Sequence, residues 1–355
     1  MGNPDPTKSS RAGWGLVFLA AATSLVFSVA LFSPRFWLLR HYTPGTFQWD
    51  RAHAFLLQCE APFRQDVEPA MLWRLLPPMV CHVLGLKGYA PLALPWLGVV
   101  ALTVYVAYLH RCRCPDWRFV FGGTLTFSTT SAVLVAVGWL GMNDPWVWLG
   151  LLACAFSDSF WARAAACFLC VWVDERFLIG LPLAFAVRWA DRGGKFHWRE
   201  CGPVLWLVPY VALRITLSFD HGATNQTRAF LAGQLHEVPL LIPWAPLAWW
   251  MGLRAAWVPA IFAIGRRPVI LGAGAFLTLL VCLCLAADMS RSAAVLAPLI
   301  LLGGFCFLAR QPRHAPRAAL IVGIANLVIP AAHVTFTKFD PINNFLIEFL
   351  RLFHS

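Results

Sequence analysis

Three consecutive charged residues, Asp174, Glu175 and Arg176, sit between two apolar runs in "CVWVDERFLIGLPLAF", residues 170–185, in a chain where charged residues are only 13% of the total. Similar charges recur at the edges of other apolar runs: Asp50 in "FQWDRAHAF", Asp66, Glu68 and Arg74 in "FRQDVEPAMLWR", Asp144 in "GMNDPW", and Asp288 with Arg291 in "DMSR". A carboxylate of this kind can take a proton from a hydroxyl as a general base. Arginine presents a planar fork that grips phosphate and offsets charge on a leaving group. Asp288 and Arg291 are three apart, so they can pair on a helix that begins at the aspartate, whose carboxylate would also cap it. Arg176 follows its own acidic neighbours at spacings of one and two, which do not face each other on a regular helix. Its partner is therefore expected elsewhere: a lipid headgroup, another carboxylate, or an anionic substrate.

The elements that hold these residues are apolar helices. The chain has 355 residues, 59% hydrophobic, with mean hydropathy +0.65. Long apolar windows separated by short polar breaks define an all-α polytopic membrane protein of one transmembrane domain spanning 1–355. About eleven apolar segments are counted, roughly nine at the fewest and twelve at the most. They cover 13–33, 89–109, 119–139, 145–158, 163–174, 177–190, 202–219, 243–264, 269–287, 292–309 and 318–334. With the N-terminus inside, fifteen basic residues against five acidic ones fall on the cytoplasmic side, and the C-terminus falls outside. The net charge of +11 is then a topology signal and not a nucleic-acid footprint. Residues 34–87 form one long outer loop with amphipathic helices along the membrane face, and 335–355 form an outer amphipathic tail. Asp50, Asp66, Glu68, Asp144, Asp174, Glu175 and Asp288 all lie on that outer side, with Arg51, Arg64, Arg74, Arg176 and Arg291 as basic partners. Several sit at helix mouths, which points to a shared outward pocket, because ionisable groups at membrane depth face a cavity or pair with each other.

An early aspartate in a long first outer loop (Asp50), a "WRLLPP" stretch, an aspartate at the second outer turn (Asn143, Asp144, Pro145), a short helix pair with a charged turn, and a late "D-x-x-R" turn (Asp288, Arg291) follow one another in order. Over residues 1 to 310 this arrangement resembles the bacterial multi-spanning proteins of the GT-C glycosyltransferase superfamily. The resemblance implies a transferase on the periplasmic face of the bacterial inner membrane, moving a sugar from a polyprenyl-phosphate-linked donor to an acceptor. It implies Asp50 as the base on the acceptor and Asp144 as the second catalytic acid. Asp66 and Glu68 take the place of the family's acidic pair, and Arg176 and Arg291 bind the donor phosphate, beside Arg74, Asp174, Glu175 and Asp288. The chain departs from the family in having no adjacent acidic pair directly after the first helix and no large soluble C-terminal domain. No cofactor is required by this chemistry, although Mg²⁺ or Mn²⁺ would suit oxygen ligands bridging carboxylate and phosphate. The partners expected are the lipid-linked donor and membrane lipid, with no nucleic acid.

Two other functions use the same residues. A transporter or flippase for a lipid-linked or anionic solute would use them as a substrate path, but no internal repeat is visible and mid-membrane charge is confined to Arg214 and Arg254. A non-catalytic scaffold would keep the fold alone. His53, His82, His221, His236 and His333 lack paired metal-ligand spacing and read as interfacial or hydrogen-bonded histidines, not ligands. Trp49, Trp73 and Trp146 flank the acidic sites and offer faces for a sugar ring. Cys59 and Cys81 share the outer loop and can bridge, whereas Cys167-x-x-Cys170 lies within an apolar helix and reads as core. The sequon "NQT" at 225–227 has meaning only in a secretory-pathway protein.

Overall fold

The computed structural model describes residues 13–32, 47–64, 66, 71–195, 198–220, 232–233, 235–285, 288–335 and 338–342. Helices α1 (Trp14–Phe32), α2 (Phe47–Glu60), α3 (Leu76–Val83), α4 (Ala93–Arg113), α5 (Trp117–Ser128) and α6 (Ser131–Gly138) make the first half. The second half holds α7 (Asp144–Phe156), α8 (Phe160–Cys170), α9 (Arg176–Asp191), α10 (Val208–Asp220), α11 (Ala245–Leu253), α12 (Trp257–Ile264), α13 (Ala273–Leu285), α14 (Met289–Ser292), α15 (Ala297–Arg310) and α16 (Ala315–Val328). A small antiparallel hairpin, β1 (Ala332–Thr335) and β2 (Lys338–Pro341), pairs Ala332 with Pro341 and Thr335 with Lys338. The fold is all-α apart from this hairpin.

Among the described residues, five helical stretches are long and apolar enough to cross a bilayer: 14–32, 90–113, 245–264, 268–285 and 289–310. The pair α5 and α6 makes a sixth, bent by 55°. The cause of the bend is the run Ser128-Thr129-Thr130-Ser131. Thr129 Oγ1 donates to Leu125 O at 2.7 Å and Thr130 Oγ1 to Phe127 O at 2.7 Å, so hydroxyls compete with the helical ladder where it stops. The segments at 145–158, 163–174 and 177–190 form α7, α8 and α9, of 13, 11 and 16 residues. At a rise of about 1.5 Å per residue the first two span less than about 20 Å, short of a full hydrocarbon core. The 202–219 segment starts as a 3₁₀ stretch from Trp198 to Leu207 before α10.

Small residues let the long helices approach. A Cβ on Gly122 of α5 would stand 2.4 Å from the Leu320 backbone of α16, and one on Gly323 would stand 2.7 Å from Gly122 O. With no hydrophobic drive between helices in lipid, close packing at such positions carries the association. Arg254, placed by sequence inside one helix, instead breaks it between α11 and α12 at φ 51° and ψ −120°. Its Nη1 donates to Ile329 O at 2.9 Å, at the C-terminal end of α16, where a cation meets the negative end of the helix dipole. The guanidinium also lies over the Phe32 ring at 5.1 Å.

Candidate functional site

Three turns at one end of the bundle deliver the charges. Between α6 and α7, Gly141 adopts φ 81° and lies so close under α2 that a Cβ would be 3.2 Å from Ala52 Cα. The turn opens α7 with Asp144 as its first residue and Pro145 behind it, whose missing N–H is harmless there. Between α8 and α9, residues 171–175 leave the helix, and the Asp174 carboxylate accepts the backbone N–H of Arg176 at 2.9 Å. Asp288 caps α14 by accepting from Arg291 N at 3.3 Å. The α2–α3 layer covers these turns.

The side chains close into one ion network. Arg291 grips Asp144 with its fork, Nη2 at 2.5 Å from Oδ1 and Nε on Oδ2. Asp174 receives Arg176 Nε at 3.1 Å and Arg74 Nη2 at 3.0 Å. Two longer contacts join the halves: Arg176 Nη1 to Asp144 at 3.9 Å and Arg291 Nη2 to Asp174 at 3.8 Å. Asp288 extends the chain, 3.5 Å from Arg291 Nη1 and 3.5 Å from His333 Nδ1. His333 in turn meets Ser290 Oγ at 3.1 Å and Thr335 Oγ1 at 2.7 Å. Asp144, Asp174, Arg176 and Arg291 are each no more than 5% exposed. Among the described residues these contacts join three aspartates to three arginines, so the buried carboxylates are paired.

Two spaces adjoin the network. A polar cavity of about 30 Å³ is lined by Arg51, Gln58, Arg74, Asn143, Asp144, Asp174 and Arg291 with apolar neighbours. That volume holds a water or two. Behind it lies an apolar groove of about 470 Å³ between α3, α4, α7 and α8, lined by Leu76, Leu94, Leu149 and Leu169 among others. Pro77 and Val173 line both spaces. Donor capacity remains at the polar end: Arg74 Nε and Arg176 Nη1 are buried N–H groups with no hydrogen-bond acceptor among the described residues.

The structure thus brings together Asp144, Asp174, Arg176, Arg291, Asp288 and Arg74. It separates others. Glu175 leaves the cluster and pairs with Arg214 at 3.4 Å, and Arg214 lies over the Trp73 ring at 4.2 Å. Asp66 is exposed and bound bidentately by Arg64, at 2.5 and 2.6 Å, away from the network. Glu68, the "NQT" sequon, the tail from 343 and the side chains of Asp50 and Trp49 lie outside the described residues; residue 50 itself stands in α2, next to Arg51. Trp146 Nε1 is occupied by Leu94 O at 3.1 Å. The expectation that Arg176 cannot meet Asp174 is corrected. Arg176 is the first helical residue and Asp174 precedes the helix, so the two are related by a turn and not by a helix face. His333 is buried and hydrogen-bonded, and it joins the network through Asp288, which its sequence context does not indicate; Gln58 and Ser290 are further polar neighbours that no sequence motif marks. Arg51, Phe55 and Gln58 are spaced as one face of a helix, and in the structure that face of α2 lines the cavity.

A divalent cation does not fit this arrangement. The carboxylates of Asp144 and Asp174 are held by guanidinium groups, and no three His, Cys, Asp or Glu side chains among the described residues form a metal-binding group. A cation there would face Arg291 and Arg176 directly.

At the opposite end of α7–α9, Glu200 is clamped by Arg188 and Arg192, and Arg192 also holds Asp158. Arg163 donates to the Ser157 carbonyl at 2.9 Å. The hairpin is therefore pinned by ions at both ends.

A scan against protein-family models found none that matches the chain, and searches of the curated proteins and of the solved structures found no match either.

Two outcomes follow from the site. Burial alone would raise the Asp174 carboxyl, but Arg176 and Arg74 outweigh it and hold the group below the usual carboxylate range. A depressed folded-state value contributes stability above the unfolded value of about 4, lost as pH falls further. Thermal midpoints in detergent should therefore be flat from about pH 8 to pH 5 and drop below about pH 4 in the wild type. Asp174→Asn should flatten that acid limb; an unchanged limb would place the acid sensitivity elsewhere. Arg64 holds Asp66 at about 2 by hydrogen bonding, but in a solvent-exposed pair. Asp66→Asn is expected to leave the midpoint and salt dependence unmoved.

Proposed function

We propose that the chain is a membrane glycosyltransferase that takes a sugar from a polyprenyl-phosphate-linked donor. The reading rests on one observation: a polar, arginine-lined cavity shares a wall, Pro77 and Val173, with an apolar groove of about 470 Å³. An amphiphile with a phosphate next to a long hydrocarbon matches that pair of spaces. In this proposal the hydrocarbon lies in the groove and the phosphate meets Arg74, Arg176 and Arg291. Arginine forks suit phosphate oxygens, and the unmet Nε–H of Arg74 and Nη1–H of Arg176 are available for them. Asp50 takes the proton of the acceptor hydroxyl as its oxygen attacks the anomeric carbon, and the bond to phosphate breaks with the electron pair leaving on the phosphate. The arginines stabilise that charge. Because the cavity of about 30 Å³ is too small for a phosphate, the α2–α3 layer moves aside for the donor to enter. The orientation proposed is N-terminus cytoplasmic and site periplasmic, in a bacterial inner membrane, with up to about eleven membrane-inserted segments.

A scaffold role is favoured by one feature, the mutual neutralisation of the three aspartates and three arginines. The deciding experiment reconstitutes the purified chain in sealed proteoliposomes with a radiolabelled polyprenyl-phosphate sugar and an added acceptor. Label is expected to move covalently to the acceptor, and Asp50→Asn to slow this by about 10²- to 10⁴-fold with insertion unchanged. Full activity in Asp50→Asn would refute the base; label crossing the bilayer without a covalent product would identify a transporter. No transfer and no movement, with any sugar tried, would leave the scaffold.

A further inference from the structure

Eleven cysteines are present, and all are free thiols among the described residues. One pair stands apart from the apolar core. Cys59 lies in the last turn of α2 and Cys81 near the end of α3, 3% and 0% exposed, in a satellite cluster with Ala52, Phe55, Leu92 and Leu140. The two thiols face each other within this cluster. The next residue along α3 also reaches α2 here: His82 Nδ1 donates to Cys59 O at 3.1 Å. Neither helix is among the stretches long and apolar enough to cross a bilayer. Another close pair, Cys154 and Cys167 with sulfurs 4.0 Å apart, lies on α7 and α8 within the main core.

We propose that Cys59 and Cys81 are a disulfide-forming site that staples α2 to α3, oxidised by exchange with a protein disulfide of an oxidising compartment. Two S–H bonds break and one S–S bond forms; the two electrons and two protons pass to the oxidant's disulfide, which becomes two thiols. The bridge ties together two elements that line the polar cavity, α2 with Arg51 and Gln58, and α3 with Pro77 and, just before it, Arg74. The two helices then move as one unit over the buried ion network. The bridge also fixes sidedness, because the α2–α3 layer must face the oxidising side for it to form and persist. This inference does not depend on the proposed transferase activity.

The test uses the full chain in membranes of a bacterium with an active disulfide-forming periplasm. Membranes are acid-quenched, denatured in SDS and reacted with a maleimide-linked polyethylene glycol, with and without prior reduction. Nine tags are expected without reductant and eleven with it, and peptide mapping of alkylated wild type should recover a Cys59–Cys81 linked peptide. Cys59→Ser should carry ten tags in both conditions. Eleven tags on unreduced wild type, or a linked peptide joining other cysteines, would overturn the proposal. The wild-type map needs no variant to fold, so the result is decided even if Cys59→Ser is degraded.

Discussion

Arg291→Met is expected to destabilise the protein by about 3–5 kcal/mol, more than any other single change in the ion network. Arg291 is the bridge between its halves: it grips Asp144 on α7, reaches Asp174 before α9, and ties back to Asp288. Methionine fills similar volume but leaves Asp144 buried with only Arg176, 3.9 Å away, and leaves Asp288 with His333. An uncompensated buried charge is the costly outcome, and the loss of attraction is the smaller part. The double variant Asp144→Leu/Arg291→Met should therefore recover much of the loss, because replacing both partners by apolar groups of similar size is close to neutral. Thermal unfolding of the four proteins in detergent completes the cycle. Additive losses in the double variant would mean that the pair does not act as a unit. The same cycle bears on the proposed transfer activity: a double variant that is stable yet loses an activity that the wild type shows would separate a chemical role of the network from its structural one.

Gly303→Ala is expected to cost about 3 kcal/mol through the addition of one methyl group. The Cβ would fall 1.7 Å from Pro259 O and 2.9 Å from Pro259 Cα, backbone atoms that no rotamer change can move. α12 and α15 must then separate or twist, opening the packing between them. The neighbouring residue provides the control. Gly304 has no described atom within 4 Å of its Cβ position, so Gly304→Ala should be neutral or slightly stabilising by restricting the unfolded chain. Folded yield by size-exclusion and thermal midpoint in detergent measure both. Equal behaviour of the two variants would show that the helices do not meet at Gly303.

The residues of the ion network were legible in the sequence because charge is scarce there. Asp144, Asp174, Arg176, Asp288 and Arg291 interrupt long apolar runs, and a charge beside hydrocarbon needs a partner or a cavity. Their pairing was not legible. Arg291 and Asp144 are 147 positions apart, and nothing local to either names the other. Asp288 with Arg291 was readable from a spacing of three, whereas Asp174 with Arg176 was misread, because the spacing rule holds only within a helix and the helix begins at Arg176. Glu175 and Asp66 carried the same sequence signal as Asp174, and only packing distinguishes them: Glu175 turns to Arg214 on α10, and Asp66 to Arg64 in a loop.

By itself the sequence determined that this is an all-α membrane protein, since long apolar windows leave the backbone no partner but its own helix. The boundaries came out only in the structure: Asp116 and Ser159 cap helix N-termini, Pro145 and Pro77 stand in first turns, and the hydroxyl run at 128–131 breaks what reads in sequence as one segment, 119–139. Only the tertiary structure decided which charges neutralise which, that His333 joins them, and that a polar cavity and an apolar groove share a wall. The physical reason is the range of the forces. Helix formation and capping are settled within four residues, whereas ion pairing and cavity shape depend on which helices come to rest side by side.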